Sequence, residues 1–310
     1  MSELLFMEPC FKTMIWGGHK MREKYGYPIP SEETGEAWVI SGHQNGKSTV
    51  KGGTYDGWNL DDLWKQHGEL FGHPAETSFP LLVKVIDANK DLSIQVHPDD
   101  AYAAVHENGS KGKTECWYVL DCEEGADIIV GHHARTREEL VQMIDEGKWD
   151  QLLNCFPIHK GDFFYIPSGT VHAVRKGTLI LEVQQSSDVT YRLYDYGRLQ
   201  NGKPRELHLD KSKDVITCPH SGVSTTGAWD DRKDYRVRQL VKSQYFTVEQ
   251  WKVGTALDLE QKYDFLLVDV TEGSGMADGI PVKAGDHFIV PYQYGTMHVE
   301  GNLEIITSHL

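Results

Sequence analysis

The chain has 310 residues, of which 39% are hydrophobic and 25% charged, the make-up of an ordinary soluble globular protein large enough for one big core or two domains. Its formal net charge of −15 argues against nucleic acid and anionic membrane surfaces as partners, and requires the cations for any anionic ligand to be concentrated locally. No stretch approaches a membrane span, the start lacks a basic-then-apolar secretory pattern, and five cysteines (Cys10, Cys116, Cys122, Cys155, Cys218) without Cys-x-x-Cys spacing suggest reduced thiols in the cytoplasm.

Thirty glycines, eight tryptophans and fourteen tyrosines, with few long helical patterns, lean the chain toward β structure. Trp16-Gly17-Gly18 closes a tight turn, and Gly35 to Ser41 reads as a strand with Glu36 and Trp38 on one face. Asn59 caps a short helix bearing Leu60, Leu63 and Trp64. Pro80 to Ile86 is a buried-looking strand interrupted by Lys84; a lysine in such a run ordinarily sits at a sheet edge or strand end, its stem reaching water. Asp91 to Pro98 alternates, sending Ser93, Gln95 and His97 to one face and Leu92, Ile94 and Val96 to the other.

Pro98-Asp99-Asp100 opens a short helix through Ala104, and strands follow at Glu115 to Leu120 and Ile128 to Gly131. Thr136 and Glu139 form a capping-box pattern ahead of Leu140, Met143, Ile144 and Trp149, placing one or two amphipathic helices in 136–155. Further strands are expected at Phe163 to Ile166, Val171 to Val174, Leu179 to Gln184 and Val189 to Tyr194. Residues 200–234 read as a polar connection, and strands return from Tyr235, including Phe265 to Val270 and Phe288 to Val290. Gly161-Asp162 with Pro167 recurs as Gly285-Asp286 with Pro291, which suggests two related β modules. The corresponding histidines, His172 and His298, differ in spacing by two residues, so only the first module keeps a ligand at the expected place.

Gln95, His97, Glu115 and His172 offer two imidazoles, a carboxylate and an amide oxygen, a set suited to a borderline metal such as zinc with an open position. Each alone is weak, since a polar strand face is usually solvated and a buried histidine is usually just hydrogen-bonded. Their conjunction carries the reading. His19, His43, His132 and His133 are taken as structural.

Gly161-x5-Pro167-x-Gly169-x2-His172 matches the second motif of the cupin superfamily, a double-sheet jelly roll. Leu92 to Pro98, Lys113-Thr114-Glu115, Pro167 to His172 and Asp188 to Arg192 together resemble the motifs of type I mannose-6-phosphate isomerases, in their short bacterial form; Trp16 to Gly18 and Gly35-Glu36-x-Trp38 resemble the family's opening. The resemblance implies a mostly β fold of two cupin-type jelly-roll modules with a short helical stretch. Residues 1–234 would form the metal-binding catalytic domain, with its helical stretch at about 136–155, and 235–310 a second, degenerate cupin-like domain. It implies one zinc per chain, held by Gln95, His97, Glu115 and His172, and interconversion of mannose 6-phosphate and fructose 6-phosphate through an enediol. Arg192, Lys113 and Asp188 would be catalytic: Arg192 facing the enediolate, Lys113 as base with Glu36 as the alternative, Asp188 assisting ring opening. Ser93, Lys84, Glu36 and Trp16 would bind substrate, with Ser93 and Lys84 at the phosphate. Gly112 precedes Lys113, so no histidine at that place can move the proton. The competing readings are an iron-dependent cupin dioxygenase and a non-catalytic sugar-binding bicupin.

Overall fold

Apolar residues at every second position of most strands give each sheet two usable faces, and the chain stacks its sheets on both. The computed structural model describes residues 3–222 and 226–310; Met1 and Ser2 of the start, and 223–225 of the expected connection, lie outside them. A six-stranded antiparallel sheet runs Phe163–Ile166, Glu115–Cys122, Thr178–Gln185, Leu81–Ala88, Thr34–Ser41, Cys10–Gly18. A five-stranded sheet faces it, in the order Tyr191–Tyr194, Ile94–Val96, His172–Val174, Asp127–His132, Leu153–Pro157. Trp16, Ile86, Trp117, Ile128, Val130 and Ile180 fill the space between them. Two sheets closed over one core make the jelly roll expected from the motifs.

The other face of the six-stranded sheet presents Val83, Val85, Tyr118, Leu181 and Val183, which pack against Leu240, Phe246, Val248, Leu267, Ile289 and Ile306 of the C-terminal module. That module is built on a ten-stranded sheet with its own apolar interior around Val268, Val270, Phe288, Val299 and Ile305. Leu5–Glu8, at the start of the chain, pairs in this sheet with His287–Val290. The outer face of the five-stranded sheet is covered by helices: Ile94, Val96, Ala173 and Leu193 meet Leu140, Ile144, Leu152 and Ile216. No helix among the described residues is long and apolar enough to cross a membrane.

Local signals formed as their chemistry dictates. Asn59, Asp99 and Thr136 accept hydrogen bonds from the backbone N–H groups of Asp62, Tyr102 and Glu139. Glu139 Oε2 accepts from Arg135 N–H at 2.8 Å, one residue before the cap, rather than from the cap's own N–H. Three expectations need correction. Lys84 lies on a strand flanked on both sides, by Thr178–Gln185 and Thr34–Ser41, so the edge explanation fails. The polar connection at 200–234 contains the helix Leu209–Val215, whose Leu209 and Val215 help cover the five-stranded sheet. The helical stretch ends earlier than 155, because Leu153–Pro157 pairs with Asp127–His132 as a strand.

The internal echo is geometric as well as sequential. Gly161 and Gly285 both have left-handed φ, 88° and 91°, a conformation that favours glycine. Gly161 N–H donates to Val119 O at 2.8 Å and Gly285 N–H to Val270 O at 2.9 Å, and each following aspartate accepts a backbone N–H three residues upstream. The turn is the same in both modules.

Gly112 explains itself by contact. A Cβ there would lie 2.5 Å from Asp99 C and Asp100 N, backbone atoms that cannot swing away, so the histidine absent from this position would not fit. Gly112→Ala is expected to destabilise the fold by about 1–3 kcal/mol through overpacking. A denaturant midpoint equal to the parent's would show that the loop yields freely.

Candidate metal centre and substrate cavity

The strand registers assemble the site. His172 lies opposite Gln95, and Gln95 is opposite Arg192 on its other side. On the facing sheet Glu182 lies between Lys84 and Trp117, and Gln184 is paired with Glu115. Alternation then turns Lys84, Glu115, Trp117 and Glu182 into the barrel, while Val83, Val85, Cys116 and Val183 turn toward the C-terminal module.

One ligand atom each from His97, Glu115 and His172 lie within 4.8 Å of one another, all three residues buried. The tautomers are set from behind. His97 Nδ1 stands 2.8 Å from Val189 O and His172 Nδ1 2.8 Å from Thr170 O, so each ring donates there and leaves a lone pair on Nε2. Those two Nε2 atoms are 3.1 Å apart and each 3.4 Å from a Glu115 oxygen. Two facing lone pairs and a carboxylate suit a metal cation, although the Lys113 ammonium already reaches His97 Nε2 at 3.2 Å and Glu115 Oε2. Glu115 Oε1 has no hydrogen-bond partner although it is buried, an orphan that a metal ion would satisfy. The Gln95 amide is 3.2 Å from His172 Nε2, within reach of the same centre through whichever end it presents. The donor set therefore suits a borderline divalent metal such as zinc. Burial, followed by the charge of Lys113, pushes His97 down to about 3; burial also lowers His172. Burial would raise Glu115, but Lys113 and the two histidines outweigh it and hold the carboxylate well below its usual range.

Behind this group lies a chain of buried ions. Lys113 donates to Glu115 and lies 3.8 Å from Glu182 Oε1; Lys84 is 3.3 Å from Glu182 and 3.7 Å from Glu36. Trp117 Nε1–H donates to Glu182 Oε2 at 3.0 Å, and Trp38 Nε1–H to Glu36 Oε2 at 2.6 Å. Burial alone would depress Lys84, but Glu36, Glu182 and Glu115 overcome it and keep the ammonium well above its ordinary value. Burial and the Glu115 charge push Glu182 up. Three carboxylates thus share the interior with two ammonium groups, a net negative charge that a divalent cation would turn positive.

A cavity of about 290 Å³ opens beside these groups, lined by Trp16, Glu36, Lys84, Ser93, Gln95, Lys113, Asp188 and Arg192 from the sequence reading, with Trp117, Glu182 and Arg205 added by the fold. The expected site residues other than the three buried ligands all border this space. Leu92 does too, against the alternation expected for it: the regular strand is only Ile94–Val96, so Leu92 turns inward beside Ser93. Asp188 stands on the wall shared with a second cavity, accepting a hydrogen bond from Asn45 and lying 3.6 Å from His43 Nε2. Arg192 donates from Nη1 to Glu206 O at 2.8 Å, while its buried Nε has no partner among the described residues. The sequence reading missed Glu182 and Arg205. Glu182 carried a readable sign, a lone acid in the apolar run Thr178–Gln185 matching the lone Lys84 in the run beside it; Arg205, in a polar loop, carried none.

His132 and His298 illustrate the histidines that do not converge. His132 Nε2 sits 2.9 Å from Thr217 O, and the exposed His298 lies between Asp258 and Glu300. All five cysteines are free.

Comparison with known proteins agrees with this architecture. Residues 4–125 match the family described as phosphomannose isomerase type I, catalytic domain, and residues 236–310 the mannose-6-phosphate isomerase cupin domain. The mannose-6-phosphate isomerase ManA of Bacillus subtilis (strain 168) is 50% identical over 100% of this chain and 99% of its own, and the mannose-6-phosphate isomerase of Streptococcus mutans is 48% identical with the same coverage. The crystal structure of the mannose 6-phosphate isomerase from Bacillus subtilis superposes with a TM-score of 0.97 at 47% identity, covering 100% of both chains. The chain belongs to the type I phosphomannose isomerase family.

Proposed function

We propose that this protein interconverts mannose 6-phosphate and fructose 6-phosphate, using one zinc ion held by Gln95, His97, Glu115 and His172. The observation that carries the reading is the pair of buried imidazoles whose Nε2 atoms face each other and Glu115, beside a cavity bordered by cations. Relatives named mannose-6-phosphate isomerase, similar over the whole chain, support the choice of substrate. When bound, the metal would polarise the sugar carbonyl and steady charge on the reacting oxygens; the neutral Gln95 preserves its net positive charge where a second carboxylate would reduce it.

The chain's own residues supply the rest. Isomerisation moves one proton between adjacent carbons through an enediol, and no electron leaves the substrate. Lys113, between Glu115 and Glu182, is the group that carries this proton, with Glu182 Oε1 3.8 Å from its ammonium. Arg192, across from Gln95 and with its Nε unspent, faces the oxygens on which negative charge builds. Asp188, partly exposed on the cavity wall, assists opening of the sugar ring. Trp16 and Ile86 give one wall an apolar surface, which excludes water from the reacting carbons. Glu36 is fixed by Trp38 and Lys84, so it serves as a scaffold for the substrate face rather than as a free base.

A turnover assay with mannose 6-phosphate tests the reading directly; a pure, metal-loaded protein that leaves the sugar unchanged refutes it. Chelation is expected to abolish activity while the β-type circular dichroism persists, because the cores are apolar and independent of the metal, and readdition of zinc should restore activity at about one ion per chain. Full activity in verified metal-free protein would rule zinc out. Arg192→Met should lower turnover about 100- to 1000-fold with zinc content retained, since a preorganised donor acts mainly on the transition state. Retained turnover with weaker binding would instead make Arg192 a substrate clamp. Glu182→Gln keeps the shape and the Trp117 contact but removes the charge, and should reduce turnover by about 100-fold or more. A variant running at half the parent's rate would demote Glu182 to support of Lys84.

A further inference from the structure

A phosphosugar brings a doubly charged group to a protein whose own net charge is −15, so recognition depends on which cations facing the cavity remain free to meet it. Four border it: Lys84, Lys113, Arg192 and Arg205. Lys84, expected from the sequence to hold phosphate, is 5% exposed and already answers Glu36 and Glu182. Lys113 answers Glu115 and touches His97 Nε2. Arg192, whose Nε is also without a partner among the described residues, lies opposite Gln95, at the end of the cavity nearest the candidate metal centre.

Arg205 differs from all three. Its guanidinium is clamped by the buried carboxylate of Asp195, which accepts from Nε at 2.7 Å and from Nη2. Asp195 also takes Nη2 of Arg198, and Arg198 spends its remaining contacts on the carbonyls of Asp91 and Asp195. One carboxylate therefore faces two guanidinium groups, which leaves an uncompensated positive charge. Of the five N–H donors on Arg205, Asp195 takes two. The other three, on Nη1 and the far side of Nη2, have no partner among the described residues. Burial would raise Asp195, but its two arginines overcome this and lower it, so the anchor stays charged. The loop that carries Arg205 is tied to the site by His208 N–H donating to Arg192 O at 2.8 Å. A fixed fork with free donors and surplus charge suits a phosphate dianion.

We propose that Arg205, oriented by Asp195, is the residue that recognises the substrate's phosphate, with Ser93 lining the same cavity. The inference rests on the proposed phosphosugar activity and deepens it. It moves the phosphate away from Lys84 and toward the loop after Tyr191–Tyr194, leaving Arg192 for the reacting end. Asp195 is a positioning residue in this account, since it meets the substrate only through Arg205.

The test compares parent, Arg205→Met and Arg205→Lys in steady-state turnover of mannose 6-phosphate, with inorganic phosphate as a competitive inhibitor. Losing charge-assisted donors should raise KM about 10- to 100-fold in the methionine variant, weaken inhibition by phosphate in parallel, and change kcat much less. Arg205→Lys keeps the charge without the fork and should fall between the two. Unchanged KM and phosphate inhibition in the lysine variant would overturn the proposal even if the methionine protein fails to fold. So would a loss of kcat with KM intact. A parent enzyme that does not isomerise mannose 6-phosphate, yet is inhibited from binding its true substrate by phosphate in an Arg205-dependent way, would refute the assigned activity and leave the anion site standing.

Discussion

Five ionisable side chains, Glu36, Lys84, Lys113, Glu115 and Glu182, are each at most 8% exposed inside one barrel, and this constraint governs the rest of the molecule. Each ion costs several kcal/mol to desolvate, and breaking one pair strands its partner. The network is tolerable only because every charge has an opposite neighbour within about 4 Å and the tryptophan N–H groups of Trp38 and Trp117 satisfy two of the carboxylates. Such an arrangement is a poor way to gain stability compared with apolar packing. It is a good way to fix charges beside the candidate metal centre and the cavity, because side chains so confined need not reorganise as charge develops.

A barrel with this interior needs stability from elsewhere, and the layers outside it supply that. The face of the six-stranded sheet that points away from the ions is largely apolar where it meets the C-terminal module, and the five-stranded sheet is likewise sealed by helices. The strand carrying Glu115 and Trp117 on its inner side carries Tyr118 on its outer side, where its hydroxyl donates to Glu304 and accepts from Gln250 Nε2 at 2.8 Å. The C-terminal module therefore grips the strand that carries Glu115 of the candidate metal centre. Alternation along that one strand links support and chemistry.

Much of this was legible in the sequence because the period-two pattern is strong where one face is polar for a reason. His97, Glu115 and His172 stood out by residue type and by the turn residues around them, and two helix caps by Asn59 and Thr136. What stayed hidden was set by tertiary pairing. The inward turn of Leu92 follows from a regular strand that begins only at Ile94. The helix Leu209–Val215 is short and polar, with one buried residue, so its period was not visible before the sheet it covers was in place. Glu182 was overlooked because a single acid in Thr178–Gln185 looks like noise until its register opposite Lys84 is known. Arg205 sits in a loop whose position no local rule predicts.

The two modules share a turn yet divide the labour, and the difference lies in what each strand sends inward. In the first, Gly161 and Asp162 lead to a strand and then to a corner that delivers His172 between Gln95 and Val130. In the second, the same turn at Gly285 leads to Phe288 and Val290, which fill an apolar interior, while His298 emerges on the surface between two acids. A two-residue shift between equivalent prolines and histidines preserves strand parity, so parity alone cannot explain the difference. The partners decide it: the second interior offers Val268, Val270 and Val299 where a metal would need donors. Turn geometry is set by local backbone requirements and can recur without a site, whereas a metal centre needs several strands to agree on which polar residues to bury.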